Sequence, residues 1–164
     1  MRVENVTIQD TAKEPIVAGE YHFGDQGWSV PGPSENRMYV ANSIIDSPGG
    51  ECTSLKAWGG DFSCPAVHAF RASLTLLNND ITIGGGGDGI RAIGALLDVR
   101  NNVINSTGTG AMIKHHDTNY AGDAQYGTLG FFSANTWMGI GQAYNVTKSS
   151  ITVQSENIPI PNQV

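Results

Sequence analysis

The chain has 164 residues, a formal net charge of −6, 15% charged residues and 21 glycines. That charge content excludes a solvated disordered segment or a coiled coil, and no Lys/Arg cluster supplies the basic face that nucleic-acid binding needs. Ile and Val total 25 against 7 Leu, and β-branched side chains with so much glycine indicate a turn-rich all-β domain.

In chain order, Met1 to Val6 enters a strand pattern at once, without the apolar core of a signal peptide. Either the protein is cytosolic or the chain is a mature segment of a secreted or cell-surface protein, and the second is expected. Nowhere does an apolar run approach the ~18 residues of a membrane-spanning helix, so no transmembrane segment is expected. Val3-Glu4-Asn5-Val6-Thr7-Ile8 then opens a pattern that recurs: an apolar residue, any residue, Asn or Ser, two more, then Ile. It returns at Val40 to Ile45, Leu76 to Ile81, Val99 to Ile104 and Val153 to Ile158, with a looser copy from Ser133 to Met138. The Asn or Ser positions, with Asn135 in the looser copy, lie 37, 36, 23, 34 and 20 residues apart.

Such spacing predicts a solenoid, in which short strands that cannot bury their apolar faces alone stack coil on coil around one core. Asn suits the bend because it tolerates the left-handed conformation and bonds its own backbone. Asn42, Asn78, Asn79, Asn101, Asn102 and Asn135 are the candidates for a structural amide ladder, with Asn78-Asn79 and Asn101-Asn102 on adjacent rungs. A sandwich or jelly roll is the alternative, but Asp88-Gly89 is the one hairpin-like dipeptide between strands. Pro65 to Leu74 has Val67, Phe70 and Leu74 at helical spacing, and reads either as a short helix or as a strand and turn. Gly84 to Gly89 lacks the Lys-Ser/Thr of a phosphate loop and reads as a tight turn.

The segments from Leu74 to Ile83, Ala95 to His115 and Ile151 to Ile160 resemble the right-handed parallel β-helix proteins, the pectin-lyase-like superfamily. The resemblance implies one all-β domain over residues 1–164, a right-handed parallel β-helix of about six irregular coils. Both ends carry strand patterns without a capping helix. The chain is therefore expected to be a fragment or module of a longer protein, or to have its ends covered by another subunit or domain. Enzymes of the superfamily cleave acidic polysaccharides, by lysis with calcium and a basic residue or by hydrolysis with grouped aspartates. Their Gly-His-Gly, Arg-x-Lys and Arg-x-Pro motifs are absent here.

Insertions at residues 10–37, 46–73 and 105–131 expand the coil and are expected to form one loop-rich face suited to binding. They offer Trp28, Trp58, His115, Tyr120, Asp123 and Tyr126 for carbohydrate, since rings stack on sugar C–H faces while carboxylates bond hydroxyls. Lys114, His116 and Asp117 are the candidate catalytic groups, as a base with an electrostatic partner. Asp88 and Asp98 are further carboxylates, and Arg91 and Arg100 further cations. Cys52 and Cys64 either close a disulfide, which requires an oxidising compartment, or are two unrelated thiols. They lack the pairing of a zinc site. Three sequons, at Asn5, Asn105 and Asn145, matter only in a eukaryotic secretory pathway. The favoured function is a non-catalytic module binding a glycan or another cell-surface polymer, without a cofactor. The alternative is a lyase or hydrolase on acidic polysaccharide, with calcium if a lyase.

Overall fold

A computed structural model describes residues 1–11, 14–19, 36–49, 64–114, 127–139, 142–147 and 149–157. Among these there is no helix, and sixteen strands form three wholly parallel sheets. The first sheet holds β1 (Arg2–Glu4), β4 (Arg37–Ala41), β7 (Ser73–Leu77), β10 (Leu96–Arg100), β13 (Leu129–Ser133) and β16 (Ser150–Gln154). The second holds β2 (Thr7–Gln9), β5 (Ile44–Ser47), β8 (Asp80–Ile83), β11 (Val103–Ser106) and β14 (Thr136–Met138). In the third are β3 (Ile16–Gly19), β6 (Val67–Phe70), β9 (Ile90–Ile93), β12 (Thr109–Lys114) and β15 (Gln142–Thr147). The chain thus returns to the same sheet at every third strand, in a solenoid-like stack. The stretch from Pro65 to Leu74 is not helical: it contains β6 and the start of β7.

Alternation within each strand sends every second side chain inward, and the parallel register lines these up across coils. Val3, Val40, Leu76, Val99, Phe132 and Val153 form one row in the first sheet. Ile8, Ile45, Ile81, Ile104 and Trp137 form another in the second. From Val40 to Phe132 and from Ile45 to Trp137 these side chains are fully buried. The apolar and Ile positions of the recurring motif are therefore the two sides of one corner. Large residues are offset by small ones. At Gly130, a Cβ would lie 2.7 Å from the Phe132 ring, so only glycine leaves that ring its place.

Each corner from the first sheet to the second turns on one left-handed residue, at Asn5, Asn42, Asn78, Asn101, Ala134 and Ser155, with φ between 50° and 55°. Asn135 is therefore not in the left-handed position that the looser motif copy gave it. Its copy begins one residue earlier, at Phe132, and places Ala134 at the bend and Trp137 where the others have Ile. At the four middle corners the next residue, Ser43, Asn79, Asn102 or Asn135, is buried. The Oδ1 of Asn102 accepts from Asn79 N and Nδ2, both at 2.9 Å, and the Oδ1 of Asn135 accepts from Asn102 N and Nδ2, both at 3.0 Å. Ser43 N donates to Asn79 Oδ1 at one end, and Asn135 Nδ2 donates to Glu156 Oε1 at the other. Outside this buried ladder, Asn78 Nδ2 donates to Asn42 Oδ1 at 3.3 Å.

Ala134 bears the left-handed strain of a Cβ without the side-chain hydrogen bonding that eases it for Asn. Ala134→Asn is expected to stabilise by about 0.5–1 kcal/mol, read as a raised midpoint in thermal unfolding. A lowered midpoint would contradict this account of the corner.

The expected insertions are partly sheet, because β3, β6 and β12 fall within them. What remains are the connections 20–36, 48–66 and 115–128. The first and third join the third sheet to the first, whereas the second joins the second sheet to the third. They leave from two different corners, and the single loop-rich face expected from the sequence does not follow. At the short connection after β8, Gly87 N donates to Gly84 O at 3.0 Å, and Gly85 and Gly86 both have positive φ. This is a tight turn that glycine makes cheap.

Candidate functional site

The outward residues of the first sheet also line up in rows. One row runs Arg37, Ser73, Leu96, Leu129, Ser150, and the next runs Arg2, Tyr39, Thr75, Asp98, Phe131, Thr152. Between the two, over β7, β10, β13 and β16, lies a shallow groove of about 390 Å³. Its floor is backbone, because Leu74 and Leu97 turn their side chains into the core and Gly130 has none. Hydroxyls of Ser73, Thr75, Ser150 and Thr152 stand on its outer rungs, and Leu96, Leu129, Phe131 and Asp98 on the middle two. Leu129 is 56% exposed and Leu96 37%, which is unusual for two large apolar side chains on neighbouring strands.

Charge along this face is paired. Arg100, two residues from Asp98 and on the same side of β10, binds both carboxylate oxygens, with Nε–Oδ1 at 2.5 Å and Nη2–Oδ2 at 2.9 Å. The same guanidinium lies 5.0 Å from the centroid of Phe131, a cation–π contact with a defined geometry. Arg2 repeats the arrangement in β1: it bonds Glu4 and sits 4.8 Å from the Tyr39 ring. The Arg2 hydrogen bond holds the Glu4 carboxyl below its ordinary range. These pairs are exposed and add little stability. What they add is fixed ring orientation.

A second polar group sits on the outward side of the third sheet. His68 Nδ1 is 2.8 Å from Glu14 Oε1, and Arg91, its register partner on β9, bonds Asp88 Oδ2 at 2.6 Å. All four side chains are at least nine-tenths buried. Buried pairs of this kind fix position. They tie the segments before β3 and β9 onto the sheet.

Of the residues singled out from the sequence, Trp28, Trp58, Cys52, His115, His116, Asp117, Tyr120, Asp123 and Tyr126 lie outside the described residues. Lys114 ends β12, paired with Ile93 and Thr147. The connection that follows it re-enters the first sheet at Leu129, on the rim of the groove. Cys64 is buried and disulfide-bonded. Asp88 and Asp98 are not brought together: the first is buried with Arg91 beside the third sheet, the second lines the groove with Arg100. Among the described residues no three His, Cys, Asp or Glu side chains gather as metal ligands, and no helix is long and apolar enough to cross a membrane.

Sequence reasoning missed Leu96, Leu129 and Phe131, although the signal was present. Counting back three and five from each left-handed corner residue gives the outward positions, and Phe131-Phe132 then splits into one ring outside and one inside. No protein-family model, curated protein or solved structure matches the chain.

Proposed function

We propose that this chain is a non-catalytic β-solenoid module of a secreted or cell-surface protein, and that it binds a glycan chain in the groove of the first sheet. The carrying observation is the groove itself, where exposed Leu96 and Leu129 and half-buried Phe131 are framed by four hydroxyl side chains on a parallel sheet. Apolar side chains cover sugar C–H faces, and hydroxyls exchange hydrogen bonds with the sugar's own. Among the described lining residues Asp98 is the one carboxylate, and Arg100 bonds both its oxygens. Glycoside hydrolysis needs two carboxyl groups across the bond, so the groove favours binding over cleavage. A disulfide-bonded Cys64 fits an oxidising compartment.

The three-sheet winding favours a parallel β-helix of the pectin-lyase-like architecture with about six irregular coils. Right-handed winding follows from the strong handedness of parallel crossovers. That architecture carries many unrelated functions, so the glycan reading stands on the groove alone.

Phe131→Ala tests it. Removing the ring is expected to weaken glycan binding by about tenfold, roughly 1.4 kcal/mol, in calorimetric titration against oligosaccharides selected on a glycan array. The far-ultraviolet circular dichroism should be unchanged. Glycan binding that survives Phe131→Ala intact would remove the groove from the account, and release of new reducing or unsaturated ends would replace binding with catalysis.

A further inference from the structure

We infer that the groove accepts an uncharged glycan chain laid across the strands and discriminates against uronic-acid polymers. The inference rests on the glycan reading above and adds the ligand's charge and direction.

Direction follows from where the walls come from. Each wall takes one residue from each of β7, β10, β13 and β16, so the groove crosses four strands and does not run along any one of them. At about 4.8 Å per strand, the first and last rungs stand some 14 Å apart. Polar rungs lie at the two ends, Ser73 with Thr75 and Ser150 with Thr152, and the apolar side chains lie between them. A ligand of this polarity presents ring faces in the middle and hydroxyls at both ends. An extended peptide does not fit, because the floor is a sheet face whose backbone groups are engaged in the strand ladders and offers no edge to extend.

Charge follows from Asp98. Among the described residues that line the groove, it is the sole charged one. The neighbouring cation, Arg100, is held by both of its oxygens and by the face of Phe131. A uronate carboxylate entering the middle rungs therefore stands beside the Asp98 carboxylate, while Arg100 is not among the described lining residues, on a chain of net charge −6. Neutral sugars meet no such opposition, and the free lone pairs of Asp98 can accept from their hydroxyls.

The test is a calorimetric titration of the whole chain with neutral oligosaccharides of glucose, xylose and galactose, and with oligogalacturonate, at low and physiological salt. At least one neutral series should bind about tenfold or more tightly than oligogalacturonate at low salt, with the gap narrowing as salt screens the repulsion. Asp98→Asn removes the opposing charge and releases Arg100, and should raise the ratio of uronate to neutral affinity about fivefold, the size of one contact-range charge interaction in water. Uronate binding equal to or tighter than neutral binding, or a ratio unmoved by Asp98→Asn, would overturn the inference while leaving the glycan reading in place. Failure of both ligand classes to bind would overturn the glycan reading itself.

Discussion

Trp137→Ala is expected to destabilise the protein by about 4 kcal/mol, the range for removing a fully buried indole from a packed core. Trp137 is completely buried on β14 and stands where the preceding coils place Ile104, Ile81 and Ile45. Its ring meets Tyr144 edge-on at 5.1 Å and Phe132 at 6.2 Å, and Tyr144 meets Phe132 at 5.1 Å. The same burial raises the Tyr144 phenol above its ordinary range. Beneath the indole lies Gly110, where a Cβ would come within 2.6 Å of the ring, so the neighbouring coil is shaped to this side chain. The indole N–H also donates to Glu156 Oε2 at 2.5 Å. Urea unfolding followed by circular dichroism should show the loss as a lower midpoint with an unchanged slope. Met138→Ala is the control. Met138 is the next residue, but it faces outward at 44% exposure, and it should cost no more than about 0.5 kcal/mol. Equal losses from the two would mean that β14 does not present Trp137 to the core.

Asn102→Ala should follow closely, at about 3 kcal/mol. The methyl group keeps nothing of the ladder. Asn79 N loses its acceptor in a buried site, and the carbonyls of Leu76 and Arg100 lose the donor they share. An unsatisfied buried group costs more than the net value of the bond it made. Asn102→Asp keeps the shape and reverses the chemistry, since an ionised carboxylate would face Asn135 Oδ1 and two carbonyls. Protonation restores one donor. The new carboxyl's folded-state pKa therefore lies above its unfolded value, and its stability contribution is present at low pH and lost as pH rises. Asn102→Asp should be more stable at pH 4 than at pH 7, relative to the parent chain at each pH. Asn101→Ala, one residue earlier and exposed at the left-handed bend, should cost only about 1 kcal/mol.

These two side chains also show what could be read from the sequence and what could not. The recurring Asn with apolar residues on both sides was enough for the corner, because left-handed backbone and inward alternation are local rules. The copy around Asn135 slipped by one residue because Ala134, which gives no sequence signal, occupies the bend. Strand pairing in the third sheet was harder to see. β3, β6 and β12 have short apolar stretches without the Asn marker, and the motif spacing alone leaves them within the insertions. The groove was hidden for a different reason. Leu96, Leu129 and Phe131 look like core residues until the register fixes their parity, and Asp98 gains its meaning only from Arg100 beside it. Pairing of His68 with Glu14 joins residues far apart in the chain, and no local pattern encodes it.

The winding of one chain through three parallel sheets underlies both the buried ladder and the groove. Proton–proton contacts from isotope-filtered nuclear magnetic resonance test it directly at β10. Leu97 and Val99 should show backbone contacts to Leu74 and Leu76 on one side and to Gly130 and Phe132 on the other, all in the same chain direction. Reversed contacts, such as Ser73 to Arg100 together with Leu77 to Leu96, would establish antiparallel pairing and contradict the account.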